Sequence, residues 1–443
     1  MTNTNKNETR MPSGPSGRLR PTFALLRDPR GAFERWRDCY GDPFFVHALN
    51  GPVVLTGRPE LVRQIFTHDP ADFDVFALQT GIPVLGSGSM LLLSGEAHRR
   101  ERKLVMPMFH GDRMRAYASI MAESANRAAK KHSPGATVAL QDLMTDITLD
   151  VIVHAIFGGE DAESVDRLVT HSREMTQRLK PMLLFSAKTH FGFFGLSPWD
   201  RFRQAQAKLN KAFDAEIEKR QHEPAAREDI LSLLMQAHYE DGSPILPEHV
   251  RDELATFLFA GHETSAIAMT WAVYHLLHNP DVLQRLVSEL TEAAPEDPAD
   301  FAKLPYLKAV LQETLRLNPI VPEVLRILKS PMDLGEYRLP AGTAVAPATI
   351  LSHYCPDTFP EPNMFRPERF LDRTFSSSEY FPFGGGHRRC AGAAFANYEM
   401  AIALGTLLTQ YRFELISKQK VSAKRRNVTM GPGENILVKL TRR

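Results

Sequence analysis

Cysteine is scarce: Cys39, Cys355 and Cys390 are the three in 443 residues, an odd number too small for a disulfide framework. That scarcity fits a reducing cytoplasm. No uninterrupted apolar run approaches the roughly eighteen residues of a membrane-spanning helix. A one-signed charge is missing as well, because 53 Lys and Arg stand against 52 Asp and Glu. The whole molecule therefore has no field to recruit nucleic acid or an anionic membrane, and any electrostatic partner must use a local patch. The opening MTNTNKNETRMPSGPSGRLRP has no apolar centre of the kind a signal peptide needs, and it reads as a disordered tail over residues 1–22.

What is present is an ordinary globular composition, 43% hydrophobic and 24% charged, able to bury a large core. GAFERWRDCYGD and PELVRQIF read as helices, and PFFVHAL and PVVLTG as strands. After Ala118 the pattern is mostly helical, then loop-rich with short strands from Pro319 to Cys390, then helical again. The expected class is mainly α (α+β). QHEPAARED and TEAAPEDPAD could pass for linkers, but the chemical motifs fall on both sides of each, so residues 23–443 read as one domain. The longest helical signal spans Pro247 to His278, with Pro247 suited to a first turn and Pro280 to a stop. Its middle is apolar nearly all round, so His262, Glu263 and Thr264 fall into a buried setting where polar groups are costly unless paired or used.

The strongest chemical signal is FPFGGGHRRCAGAAFANYEMA, from Phe381 to Ala401. A Gly-rich loop there delivers one cysteine to a helix start, whose free N–H groups favour a thiolate. Gly384, Gly385 and Gly386 suit a loop lying flat against a planar group. On spacing alone a Gly-rich turn before a helix remains open. So does a zinc site using His387 and Cys390, although no further Cys pair completes its ligands.

This stretch resembles the haem-binding loop of the cytochrome P-450 superfamily, with Phe383, Gly384, Gly386, Arg388, Cys390 and Gly392 in the expected order. The resemblance implies a helix-rich P-450 fold with small sheets, haem b as cofactor, and Cys390 as axial ligand to its iron. It also implies Phe383 packed against the sulfur and Arg388 directed at a haem propionate. Three further motifs follow the family's order. In AGHETS, Ala260 and Gly261 would leave room for dioxygen, while Glu263 and Thr264 would relay protons in a pocket closed to bulk water. His262 has no role by that logic, though its nearness to the oxygen site could alter proton delivery.

In LQETLRLNP, Glu313 and Arg316 share a helix face. They resemble the family's Glu-Arg pair, completed from FRPERF by Arg369 in preference to Arg366, in a network that fixes the Cys390 loop. In SGEAHRRERKLVMPMF, His98 and Arg102 are four apart, hence on one face, and resemble propionate contacts, as does Arg326 of VPEVLR. The resemblance runs from about Tyr40 to the end of the chain.

The implied activity is a monooxygenase, with a haem-thiolate peroxygenase or isomerase and a non-enzymic haem sensor as alternatives. By resemblance the substrate pocket draws on the loop after Phe73, on Met182 to Trp199, on the central helix, on the strand after Pro319 and on Val428 to Gly433. The first two are markedly apolar, which favours a lipophile of fatty acyl, terpenoid or polyketide type. Lys180, Lys188 or His190 could hold a substrate carboxylate. No flavin or iron–sulfur motif is present, so electrons are expected from a ferredoxin or flavodoxin with its NAD(P)H-dependent reductase, acting on a monomer. Arg99, Arg100 and Lys103 point away from the His98 face, and with Arg389 they are expected to form a basic docking patch.

Overall fold

The computed structural model describes residues 10–48, 51–76, 78–109, 111, 113–159, 161–222, 227–417, 419–426 and 428–443. Its spine is the helix Pro247–His278, whose ends fall where Pro247 and Pro280 set them. From Val250 to Leu276 this central helix is buried on most sides, with Trp271 1% exposed. It packs along Leu140–Phe157, a second helix apolar around its circumference, and both contribute to one large core. The helices Arg113–Lys130 and Ala393–Gln410 close that core, and Gly405 lets the latter approach Phe301.

The sheets are small and peripheral. Five strands pair in the order Phe44–Ala48, Gly51–Thr56, Ala344–Pro347, Arg326–Leu328 and Phe73–Val75. The Gly51–Thr56 and Ala344–Pro347 pairing is parallel, and the others are antiparallel. This sheet matters to the site because Arg326 begins one of its strands. Among the described residues, no helix is long and apolar enough to cross a membrane.

Two expectations change. The C-terminal region is helical only to Gln410, after which strands Tyr411–Leu415 and Leu437–Arg442 pair with each other and with Ala136–Ala139. Alternating burial along Leu437–Arg442 explains this, since a period of two turns one face inward. The supposed tail also docks in part. From residue 10 the chain is tied to two strands: Arg10 exchanges backbone bonds with Arg338, in the separate pair Met332–Leu334 and Tyr337–Leu339, and the Phe45 amide of the five-stranded sheet donates to Ser13 at 2.9 Å. A Cβ at Gly14 would fall 1.7 Å from the Phe45 oxygen, and the first helix, Leu19–Arg27, has begun before residue 22. Residues 1–9 lie outside the described residues.

Candidate active site

The Cys390 loop is built by its own backbone. The Cys390 amide donates to the Phe383 carbonyl at 2.9 Å, and the Gly384 amide to Phe381 at 2.9 Å. Gly384 and Gly386 have φ of 67° and 63°, the left-handed region that penalises a side chain. A Cβ at Gly385 would meet the Phe66 ring at 2.3 Å, and one at Gly386 the Phe66 carbonyl oxygen at 2.2 Å. These two glycines are therefore required by packing onto the helix Pro59–Thr67, whereas Gly384 only touches Val324, at 3.6 Å. Phe383 is partly buried against the core.

Gly392 caps the helix Ala393–Gln410, which places Cys390 just ahead of that helix. The Cys390 side chain keeps an accessible face, yet surrounding protein desolvates it enough to push its thiol above the ordinary value. The Gly392 N–H, Arg102 and Arg389 pull the other way and do not prevail. The expected gain from the helix end is thus outweighed by burial, and a metal cation is the counter-charge that would reverse the balance.

Behind the loop, Glu313 chelates two arginines. Arg316 donates to it at 2.7 and 2.9 Å and Arg369 at 3.1 Å, all three side chains being buried. Arg366 offers its backbone amide, at 2.8 Å, and not its guanidinium. The remaining guanidinium N–H groups reach the carbonyls of His353, Pro362 and Met364 from Arg316, and of Pro360 and Glu361 from Arg369. One carboxylate thus ties the helix Pro305–Leu317 to the chain that leads into the Cys390 loop.

On the other side a second cationic group gathers without such a partner. Arg326, 1% exposed, donates to Ile65 and Gly385 carbonyls, and its Nε has no acceptor. Arg388 donates to the carbonyls of Leu91 and Leu93. Burial, then Arg388, Arg102, His387 and Arg326, push His98 down to about 3. Burial and the same arginines push His387 down to about 4. Arg326 and Arg388 are each pushed down to about 10 by burial and by another arginine. Among the described residues none of Arg102, Arg326 and Arg388 has a carboxylate within ion-pair distance, although Asp74 eases Arg388 from further away. So many like charges around one buried point fit a dianionic ligand edge, as the two propionates of haem b provide.

The central helix crosses the same region. Ala260 is exposed between the partly buried Phe259 and Gly261, and Thr264, one turn on, donates to its carbonyl at 2.8 Å. Burial raises the Glu263 carboxyl and Arg426 lowers it, with burial prevailing. Gly261 also has a packing use: a Cβ there would press on Ile152 at 3.1 Å, so its absence lets two helices approach. His262 lies about 160° around the helix from Ala260. It is 2% exposed, bonds Leu258 at 2.6 Å and feels Arg173, so it does not face Thr264.

The Cytochrome P450 family model matches residues 22–438. The chain belongs to the cytochrome P450 family. The putative cytochrome P450 138 of Mycobacterium tuberculosis is 33% identical over 98% of this chain and 99% of that protein. The putative cytochrome P450 135B1 of the same species is 33% identical over 91% of this chain and 86% of that one. Among solved structures, a retinoic acid bound cyanobacterial CYP120A1 superposes with a TM-score of 0.86 at 25% identity, covering 98% of this chain and 100% of that chain. The cytochrome P450DA heme domain, at 24% identity and a TM-score of 0.83, shares the fold.

In this P450 several expected surface roles are altered. Arg100 pairs with Asp241 at 2.9 Å and lies over the Tyr239 ring, Lys103 pairs with Glu240, and Arg99 reaches Glu96 at 3.5 Å. The supposed basic patch is therefore largely compensated. Phe191, Phe193, Phe194 and Leu196 face solvent instead of lining a pocket. His190 stacks on Trp199 and bonds the Leu183 carbonyl, which leaves it poorly placed to hold a carboxylate.

Two polar features escaped the sequence reading. Glu399 is 0% exposed, neither oxygen has a well-placed hydrogen-bond partner, and burial pushes it up to about 8 with Ser265 partly offsetting. The signal was available as a lone acid inside FANYEMAIALGTLL. Glu323 and Arg425 form a buried pair at 2.7 Å, and separation of about a hundred residues hid it.

Proposed function

We propose that this P450 inserts one oxygen atom of O2 into a lipophilic small molecule of fatty acyl, terpenoid or polyketide type. Haem b, when bound, supplies oxygen activation at a thiolate-ligated iron. Cys390 would hold that iron, and His98, Arg102, Arg326 and Arg388 would hold the propionate edge. Glu313, Arg316 and Arg369 fix the chain that carries Cys390. Thr264 would deliver a proton at the Ala260 face, and Glu263, kept neutral more easily by burial, would replenish it. A ferredoxin or flavodoxin with its NAD(P)H-dependent reductase would supply electrons.

The substrate class is supported by the apolar segments after Phe73 and Pro319, from which Phe76 and Leu325 help to line an apolar cleft of about 150 Å³ together with Phe33, Val46 and the Glu323–Arg425 pair. Its walls are apolar, and its one charged feature is internally neutralised, so a lipophile is favoured over an ion. The retinoic acid in the CYP120A1 relative is a lipophile of comparable chemistry. Screening a lipophile library for shifts in haem absorption tests the class, followed by NADPH-driven product formation with added ferredoxin and reductase. Binding confined to polar or ionic compounds would refute it. Cys390→His should retain haem but lose the red-shifted absorption of the reduced carbon monoxide complex, and an unchanged spectrum would exclude Cys390 as the ligand.

A further inference from the structure

Between the helices Leu78–Leu85 and Gly95–Val105 the chain makes a tight passage over the N-terminal half of the central helix. Its backbone is pinned there by side chains of that helix. The Gly88 amide donates to Asp252 at 2.9 Å, the Met90 amide to Glu253 at 2.5 Å, and the hydroxyls of Ser89 and Thr256 meet at 2.6 Å. The approach is too close for side chains. A Cβ at Gly86 would fall 2.0 Å from the Asp252 carboxyl, and one at Gly88 2.6 Å from the His249 ring.

Glu253 is unusual among these groups because it is 0% exposed and its second oxygen has no partner. Glu101, 3% exposed, likewise has one oxygen without a partner, while the other accepts from the Tyr239 hydroxyl at 2.7 Å. The two acids interact, and burial pushes both carboxyls up, Glu253 the further. Asp252 adds to the repulsion on Glu253. His249 and Arg100 ease Glu101 but offer Glu253 no ion pair among the described residues. Glu253 is wholly buried with one oxygen unpartnered, so a proton on its carboxyl is the economical state.

The next residues of the same passage reach the haem side. Arg388, two positions before Cys390, donates to the carbonyls of Leu91 and Leu93. We infer that Glu253 is a positioning residue: through the Met90 amide it holds the 86–93 passage in the register that presents Leu91 and Leu93 to Arg388, and a proton on its own buried carboxyl maintains that register. This rests on the reading of Arg388 as a haem-edge residue. Withdrawing the proton leaves a buried carboxylate with no ion pair, so the passage loosens as pH rises. A glutamine at 253 keeps an acceptor for Met90, which preserves the register without a titrating group.

The test uses the haem-loaded protein and two readouts: amide exchange of residues 86–93, corrected for intrinsic base catalysis, and the haem midpoint potential. In the wild type, exchange should accelerate between neutral and alkaline pH. Glu253→Gln should hold neutral-pH protection within about twofold and abolish the alkaline acceleration. Glu253→Ala should accelerate exchange by about tenfold or more at neutral pH and move the potential in the same direction as Arg388→Ala. Protection in Glu253→Ala within about twofold of wild type, or an alkaline response retained in Glu253→Gln, overturns the assignment. A potential unmoved by Arg388→Ala overturns the placement of Arg388 at the haem edge and the second half of the inference, while the exchange rates still judge the first half on their own.

Discussion

Two groups of arginines flank the Cys390 loop, one buried throughout and one only partly, and they are satisfied in opposite ways. Arg316 and Arg369 converge on Glu313, within the protein itself. Arg102, Arg326 and Arg388 surround two histidines; after burial, repulsion from another arginine is the largest influence on Arg326 and Arg388, while Arg102 is eased by Cys390. A buried charge is retained at low cost only when something compensates it. The first group carries its carboxylate within the chain, whereas the second has none within ion-pair distance among the described residues and would take one from a bound ligand.

The largest effect should come from breaking the first group. Glu313→Ala leaves two buried guanidinium groups without their carboxylate, and removing one partner from such a network costs about 3–5 kcal/mol. Denaturant unfolding should show that loss together with failure to retain haem. A loss below about 1 kcal/mol would erase the contrast between the groups. The matching change in the second group is Arg102→Gln. Stability without haem should change by less than about 1 kcal/mol, because a repelling charge is removed, while haem dissociation should accelerate by about tenfold. Equal damage with and without haem would mean that Arg102 serves the fold.

A subtler effect follows from His98, whose value is held near 3 by burial and the three arginines. Its native value is lowered, so the unfolded chain takes up its proton first as pH falls. The stabilising contribution is present above the ordinary value of 6.5 and is lost as pH falls toward about 3. Over that window the slope from this one group is at most about 1.4 kcal/mol per pH unit. His98→Asn should flatten the acid limb of stability measured without haem, and Arg102→Gln should shift the limb to lower steepness by raising the His98 value.

The first group was legible in the sequence because Glu313 and Arg316 are three apart on a helix, and FRPERF supplied Arg369 nearby. The central helix was legible to its end residues because apolar burial runs all round it and prolines mark both limits. The docked residues 10–16 were not legible, since backbone bonds to Phe45 and Arg338 hold them and side-chain patterning carries no trace of such bonds. The outward Phe191, Phe193 and Phe194 were misread for a related reason: hydrophobicity predicts burial only when another element is available to cover it. Gly261 resembled a space at the oxygen site, but its neighbour Ile152, on a helix more than a hundred residues earlier, gives it a packing use as well.

On the central helix the comparison narrows to a single hydroxyl. Thr264 donates to the Ala260 carbonyl, an ordinary helical bond, so its replacement should leave the fold nearly intact. Thr264→Ala should maintain oxygen consumption within about threefold while diverting reducing equivalents to hydrogen peroxide. Product formed per NADPH equal to that of the wild type would remove Thr264 from proton delivery.

The smallest effect is expected at the surface cations that the sequence marked for docking. Arg100 and Lys103 are paired with Asp241 and Glu240, more than a hundred residues away in sequence, and Arg99 has Glu96 within reach. A compensated patch projects little field beyond a Debye length of about 8 Å at physiological salt, so it contributes weakly to steering an acidic donor. Arg102, without a carboxylate partner among the described residues, lines an open cavity of about 790 Å³ with His98 and His387, and the paired Arg99 and Lys103 border it too. Reversing Arg99 and Lys103 to Glu breaks exposed pairs worth about 0.2–1 kcal/mol each and should slow ferredoxin-driven haem reduction by less than about fivefold. The comparison is between reduction rates at low and physiological salt in both proteins. A decrease of about a hundredfold that vanishes at high salt would show that the paired cations still dominate donor encounter, and would return the docking surface to the outer face of the helix Gly95–Val105.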